Sequence, residues 1–453
     1  MQRDAIDFGS DNIPKLFGKM LMPTLLGMLC ISLMTIIDGV FIGHGVGSDA
    51  LAAVNIFSPF WLLMTAIGLM LGIGCSVVSS IHLSRDNEKA ARINMTQTII
   101  FGTALTITIL VQCYSTQTAY LLGSSDRLLP HVLDYQRWLS LAFCAMFIQS
   151  VGLLIIRLDG SPTYAMFTSS IPAILNIVLD YIFLFVLDKG LAGVSFATFL
   201  ALWFGAGMVI FYILFLSRSM QLYRLKWSLK SLCLFARNIG YQFRLGFSAF
   251  LGECSISVLM FVGNYVFMRY LGEDGVAAFS IACYIMPFIF MTGNAISQSA
   301  QPIISFNHGA GKRGRVAEAR KVALLTAAGA GILLSSALAF SVKYVAALFL
   351  STDTAGYRIA SAGIPLMSAG FVFYIVNVTV IGYFQSVERV SPATIYSLAR
   401  GLVFLVPSFL IMPHVAGTPG IWLALPVSEA LTFILIAATR IINRSSRKKR
   451  KMW

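Results

Sequence analysis

Four carboxylates stand well inside long apolar runs of this chain: Asp38, Asp180, Glu253 and Glu429, out of 19 acidic residues in all. Taking a carboxylate out of water costs several kcal/mol, so each is a candidate for function unless a structural partner explains it. Asp180 is the sharpest case. It sits in "PAILNIVLDYIFLFVL" (172–187), and Asn176 lies one helical turn before it on the same face. A carboxylate and an amide so spaced offer oxygen ligands of the kind that suits Na⁺, or a place for a proton.

Depth identifies the partners. A helix rises about 1.5 Å per residue, so Asp38 lies about 27 Å above the inner face if its helix enters near Met20. Entry near Pro162 puts Asp180 at about 27 Å and Asn176 at about 21 Å, and Thr198, on a descending helix, comes near 20 Å. Two carboxylates, one amide and one hydroxyl from three helices thus share a layer. Two carboxylates in one dry site do not ionise independently, so the set is suited to exchange either Na⁺ or H⁺. By the same measure Arg400 and Glu429 come to nearly equal depth on neighbouring helices and are expected to form a structural ion pair. Glu253, about six residues into its helix, is a candidate substrate counter-charge or second proton site.

The elements that carry these residues follow from composition. Of 453 residues, 57% are hydrophobic and 11% charged, against about 25% charged in soluble domains. The chain reads as an all-α polytopic membrane protein. Apolar stretches of spanning length number twelve: 17–41, 51–80, 91–113, 132–156, 162–187, 191–216, 243–268, 276–305, 319–341, 357–384, 391–412 and 419–442. The expected organisation is an N-lobe (1–216), a basic cytoplasmic linker (217–242), a C-lobe (243–442) and a basic cytoplasmic tail (443–453).

The net charge of +14 does not point to nucleic acid, because the basic residues collect in short loops. With both termini in the cytoplasm, 26 of the 33 Lys and Arg lie in inside segments and 5 in outside loops, the distribution of a multi-pass protein of a prokaryotic inner membrane. The tail "RSSRKKRKMW" then meets anionic membrane lipid. The first 20 residues are polar, with Asp4, Asp7 and Asp11, and lack the pattern of a cleaved leader. Seven cysteines without a C-x-x-C pair read as small packing residues.

The two halves repeat. "IDGVFIGHGVGSDALAAV" (37–54) matches "VGNYVFMRYLGEDGVAAF" (262–279) at an offset of 225, aligning Gly47 with Gly272 and Asp49 with Asp274; "DNEKAAR" (86–92) resembles "GRVAEAR" (314–320). Six helices per half is an even number, so the two repeats are parallel, around a central cleft that suits alternating access.

"RLDGSPTYAM" (157–166), "NIVLDYIFLF" (176–185), "GYFQSVERVSPATIYSLAR" (382–400) and "GIWLALPVSE" (420–429) resemble the multidrug and toxic compound extrusion (MATE) family, in its DinF- and MepA-like members. The resemblance covers nearly the whole chain. It implies an antiporter that expels cationic, lipophilic compounds in exchange for Na⁺ or H⁺. It also implies a coupling site, with Na⁺ as a possible occupant, at Asp38, Asn176, Asp180 and Thr198, and a helix-bending proline at Pro23. Glu253 matches the helix 7 acid of the NorM-like branch; that branch's helix 10 aspartate has no counterpart in "GFVFYIVNVTVIGYF". A monomer without cofactor, acting on small organic cations, is expected. The alternative is a lipid-linked saccharide flippase of a related carrier family, which would want several cavity arginines. No Ser-His-Asp, HExxH or P-loop pattern occurs, so no enzyme is expected. Gly68, Gly72 and Gly74 read as helix packing.

Overall fold

The computed structural model describes residues 6–46, 48–113, 116–121, 124–226 and 228–450. Gly47 of the repeat and residues 451–453 of the tail lie outside them. The described residues form helices and connecting turns, without strands.

Among the described residues the first half holds six long helices, α1 (Ile13–Gly45), α2 (Ser48–Leu83), α3 (Glu88–Cys113), α4 (Leu129–Leu158), α5 (Pro162–Val186) and α6 (Gly190–Leu216), with a short helical turn, Thr116–Leu121, between α3 and α4. Their starts are written in local chemistry. The Asn12 side chain accepts the Lys15 N–H at 3.3 Å, and that of Asn87 accepts the Ala90 N–H at 3.1 Å, each satisfying an orphan first-turn donor. Pro162 opens α5 where its missing N–H costs nothing.

The second half begins with one 81-residue helical stretch, Leu229–Gly309. It turns at Gly272, whose φ of 66° and ψ of −155° belong to a region essentially reserved for glycine. Residues 229–271 are α7 and 273–309 are α8. Then come α9 (Arg313–Phe349) and α10, a bent pair Ala355–Ser368 and Gly370–Ser386 at 41°. The last stretch breaks at Gly417, with φ 62° and ψ −142°, which gives α11 (390–416) and α12 (418–450). Among the described residues, eight helical stretches are long and apolar enough to cross a membrane, nine with the bent pair; the turns at Gly272 and Gly417 divide two of these. The repeat's Gly272 is the α7–α8 turn itself. Helical structure begins at Leu229, inside the basic segment 217–242.

Packing groups the residues into two compact units. The first holds Met1–Glu253, Gln298–Arg320 and Gln385–Glu388; the second holds Cys254–Ser297, Lys321–Phe384 and Arg389–Trp453. In the first, α4 packs on α2 and α6, and α1 packs on α5. The core around α4 is apolar, with Phe147, Val151, Ile155, Val209 and Tyr212 buried together.

Candidate functional site

The contact between α1 and α5 sets the level of the polar layer. A Cβ on Gly27 would strike the Ser169 hydroxyl, so the two helices touch closely there. Asp38 is eleven residues beyond Gly27, and Asp180 is eleven beyond Ser169. Both helices run the same way, so the carboxylates arrive together, about 16 Å further along. They face each other closely enough to interact. Asp180 is fully buried and Asn176 is 1% exposed.

Thr198, on α6, completes the layer. The Asn176 amide N–H donates to its Oγ1 at 3.4 Å, and the Thr198 hydroxyl donates to the Val194 carbonyl at 3.1 Å. This turns the Asn176 carbonyl oxygen away from the amide's bonding partner. Both Asp180 oxygens, Asp38 Oδ1 and Asn176 Oδ1 are buried with no hydrogen-bond donor. Buried acceptors without donors are costly, and an oxygen-only set of this kind is met by a hard cation or a proton. No cluster of three His, Cys, Asp or Glu occurs among the described residues, so the set does not resemble a transition-metal site.

Tyr135 of α4 is near enough for both carboxylates to act on it electrostatically. It packs against the cluster that holds Leu184, Leu191 and Val194. Sequence reasoning missed it, although depth could have found it. Tyr135 is six residues into α4 from the outer side, which is the level of Asp38 and Asp180.

The second half carries a different polar cluster. Arg400 lies on a π-turn, Ala399–Val403, which re-aims its side chain within α11. Its Nε donates to Glu429 Oε1 at 2.7 Å, and both side chains are buried. Asn377 of α10 donates its amide to Glu429 Oε2 at 2.8 Å and to the Glu429 carbonyl at 2.9 Å. The guanidinium also stacks 4.2 Å from the Tyr374 ring centre. Asn377 and Tyr374 were not singled out from sequence: an amide and a ring in an apolar run carry no signal until a charge is placed beside them. Glu253 lies half-buried on α7, and Pro23 lies within the unbroken α1. One further buried charge is not among the candidates read from the sequence. Arg157, at the end of α4, is 3% exposed and donates to Gln298 Oε1 at 2.8 Å.

Comparison with known proteins gives a consistent result. The model of the MatE family matches residues 23–182 and 249–410. The multidrug export protein MepA of Staphylococcus aureus is 23% identical over 417 residues, covering 90% of this chain and 89% of its own. MepA of Staphylococcus haemolyticus is 23% identical over 441 residues, covering 94% and 93%. Among solved structures, an outward-facing multidrug resistance MATE family transporter of the MOP superfamily superposes with a TM-score of 0.89 at 21% identity, covering 97% of each chain. A MATE structure in the bent conformation superposes with a TM-score of 0.84 at 22% identity, covering 98% of each.

Proposed function

The chain belongs to the MatE family of membrane transporters, and from that premise we propose that it is a secondary antiporter. It exports small, cationic, lipophilic compounds in exchange for Na⁺ or H⁺ by alternating access. The observation that carries this reading is the convergence of buried, donorless oxygens from Asp38, Asn176 and Asp180 at one level, with Thr198 beside them. The relatives' naming as multidrug exporters supports the choice of cargo. The protein lies in the inner membrane with both termini cytoplasmic, in line with its basic loops, and works as a monomer.

The chemistry asked of these residues is simple. Loading of the site from outside, by Na⁺ or by protonation, neutralises the paired carboxylates. The Asn176 and Thr198 oxygens hold the neutral layer. Pro23 removes one backbone N–H from α1 and so lowers the cost of bending it. A bend there moves the helix that carries Asp38, reshapes the first-half cleft and releases the compound outward. Glu253 serves as a counter-charge for a cationic cargo. Arg400 and Glu429 neutralise each other and serve the fold.

The reading is tested with sealed vesicles loaded with ethidium. Imposing an inward Na⁺ or proton gradient should drive dye efflux. No response to either gradient, in vesicles that hold their gradients, would overturn it.

A further inference from the structure

The segment that precedes α1 is folded on itself and gripped by another part of the chain. The Asp7 carboxylate accepts from the Gly9 N–H at 2.7 Å and from the Ser10 hydroxyl at 2.6 Å, and the Asp7 N–H donates to Asp11 at 3.1 Å. This makes 6–12 a compact strap whose carbonyls point outward. Those carbonyls are taken by the end of α8, the α8–α9 turn and the start of α9. Asn307 donates to Phe8 O at 2.8 Å, Lys312 to Gly9 O at 2.9 Å, and the Arg315 guanidinium to Phe8 O at 3.1 Å and Asp11 O at 2.6 Å. Arg315 Nε also donates to Asn307 Oδ1 at 2.9 Å, which locks the two gripping side chains together. The Phe8 ring is buried, 5.9 Å from that of Phe306.

The segment that precedes α7 is held in the corresponding way. Arg92, at the start of α3, donates to Arg218 O at 2.8 Å and Ser219 O at 3.0 Å. Asp159 accepts the Ser219 N–H at 3.1 Å, and Thr96 accepts the Tyr223 N–H at 2.9 Å. The lead-in to the first helix of each half is therefore held from the start of the third helix of the other half, by Arg315 on α9 and by Arg92 and Thr96 on α3, with Asp159 of the α4–α5 turn adding to the second grip; the starts of α3 and α9 are the stretches that the sequence repeat aligns. α2 and α7 also pack backbone to backbone. A Cβ on Gly74 would run into the Gln242 carbonyl, and one on Gly246 into that of Met70.

We propose that these crossed straps are the latch of the inner face, and that the strap at 6–12 is the one through which the ion site works it. The strap continues through the Asn12 cap into α1, whose Ile13, Leu16, Phe17 and Met20 are buried. The same helix carries Pro23 and Asp38. A displacement of α1 by ion exchange therefore pulls on the carbonyls that Asn307, Lys312 and Arg315 hold. Backbone carbonyls gripped by long cationic side chains give a contact that is specific in place yet releasable, since solvent can replace each bond as it breaks. This inference rests on the coupling role proposed for Asp38 and Asp180.

The test uses the full chain, with its native cysteines replaced and Ser80→Cys as reporter. Ser80 is fully buried, 3.5 Å from the Pro302 carbonyl in the inner-face packing. In inside-out vesicles its alkylation rate should change with Na⁺ or pH in the otherwise unaltered protein. Arg315→Ala should raise that rate about tenfold, a bias of about 1.4 kcal/mol toward the open inner face, and should blunt the ion response. Arg315→Lys, which keeps the charge but not the fork, should lie between. In a second protein, Gly9→Cys with Lys312→Cys joined by a short cleavable bismaleimide should stop export until the link is cut. A Gly9 side chain would stand 3.3 Å from Lys312 Nζ, so the pair is within reach. An Arg315→Ala rate equal to the parent's, or a cross-linked protein that exports at the uncross-linked rate, would overturn the latch. If the coupling role fails instead, Asp180→Asn keeps the parent's ion response while Arg315→Ala still speeds alkylation, which would leave the latch standing and sever it from the ion site.

Discussion

Removing either member of the Arg400–Glu429 pair should damage the protein far more than removing both. Arg400→Ala leaves a buried carboxylate whose remaining donor is the Asn377 amide at 2.8 Å; Glu429→Ala leaves a buried guanidinium over Tyr374. Losing one partner of a buried pair costs about 3–5 kcal/mol. The double change Arg400→Met/Glu429→Met removes both charges and fills the space with flexible apolar side chains. Asn377 is not orphaned by it, because its amide keeps the residue 429 backbone carbonyl, now 2.9 Å away. Exchange of a buried ion pair for apolar side chains is often close to neutral, so the coupling energy should be at least about 3 kcal/mol. The assay is a double-mutant cycle on purified protein in micelles, read as the denaturant midpoint of each of the four forms. A double variant whose loss equals the sum of the singles within about 0.5 kcal/mol would refute the reasoning.

Three further outcomes are expected. A cysteine at Lys230, exposed at the start of α7, should be labelled by an impermeant reagent in inside-out vesicles and not in intact cells; labelling from outside would reverse the topology. Gly74→Leu or Gly246→Leu forces a side chain into backbone and should cost about 1–3 kcal/mol of inner-face packing, seen as faster Ser80→Cys alkylation with loss of export; wild-type behaviour would mean the helices do not meet there. The Ser10 hydroxyl and the Gly9 N–H hold the Asp7 carboxyl below its ordinary value of 3.8. The order it gives the strap is therefore complete above that pH and is lost as the pH falls below it, through the lowered value. Protease cleavage within 6–12 should rise on acidification in that window, and Asp7→Asn should abolish the acid step; cleavage indifferent to pH would count against the strap's self-folding.

What could be read in the sequence, and what could not, follows from range. Spans are legible because each is an unbroken apolar run, and the layer of Asp38, Asn176, Asp180 and Thr198 is legible because depth needs only a count along one helix. The level of Arg400 and Glu429 comes from the same count. Tyr135, Asn377 and Tyr374 carry no charge and so leave no mark in an apolar run, although Asn377 and Tyr374 touch the Arg400–Glu429 pair and Tyr135 lies within electrostatic range of Asp38 and Asp180. The straps were invisible for another reason. Their bonds join backbone groups of 6–12 and 217–223 to side chains far away in the chain, and a backbone carbonyl or N–H is offered by almost any residue type. Gly272 was seen as a repeat marker, but its role as the α7–α8 turn lies in its backbone angles. That a helix starts at Leu229, inside a polar and basic stretch, is set by the Ser228 cap, whose hydroxyl accepts the Ser231 N–H at 3.2 Å.

The central claim is that Asp180 is buried in order to exchange a cation or a proton. It is tested most directly by Asp180→Asn, which keeps the side chain's size while removing its titratable charge. The account predicts that this protein inserts and folds as the parent does, yet shows no ethidium efflux from sealed vesicles under either an Na⁺ or a proton gradient. Adding Asp38→Asn should make nothing worse, since both changes disable one site. Efflux by Asp180→Asn at the parent's rate under either gradient would contradict the account and leave this carboxylate a structural part of the helix.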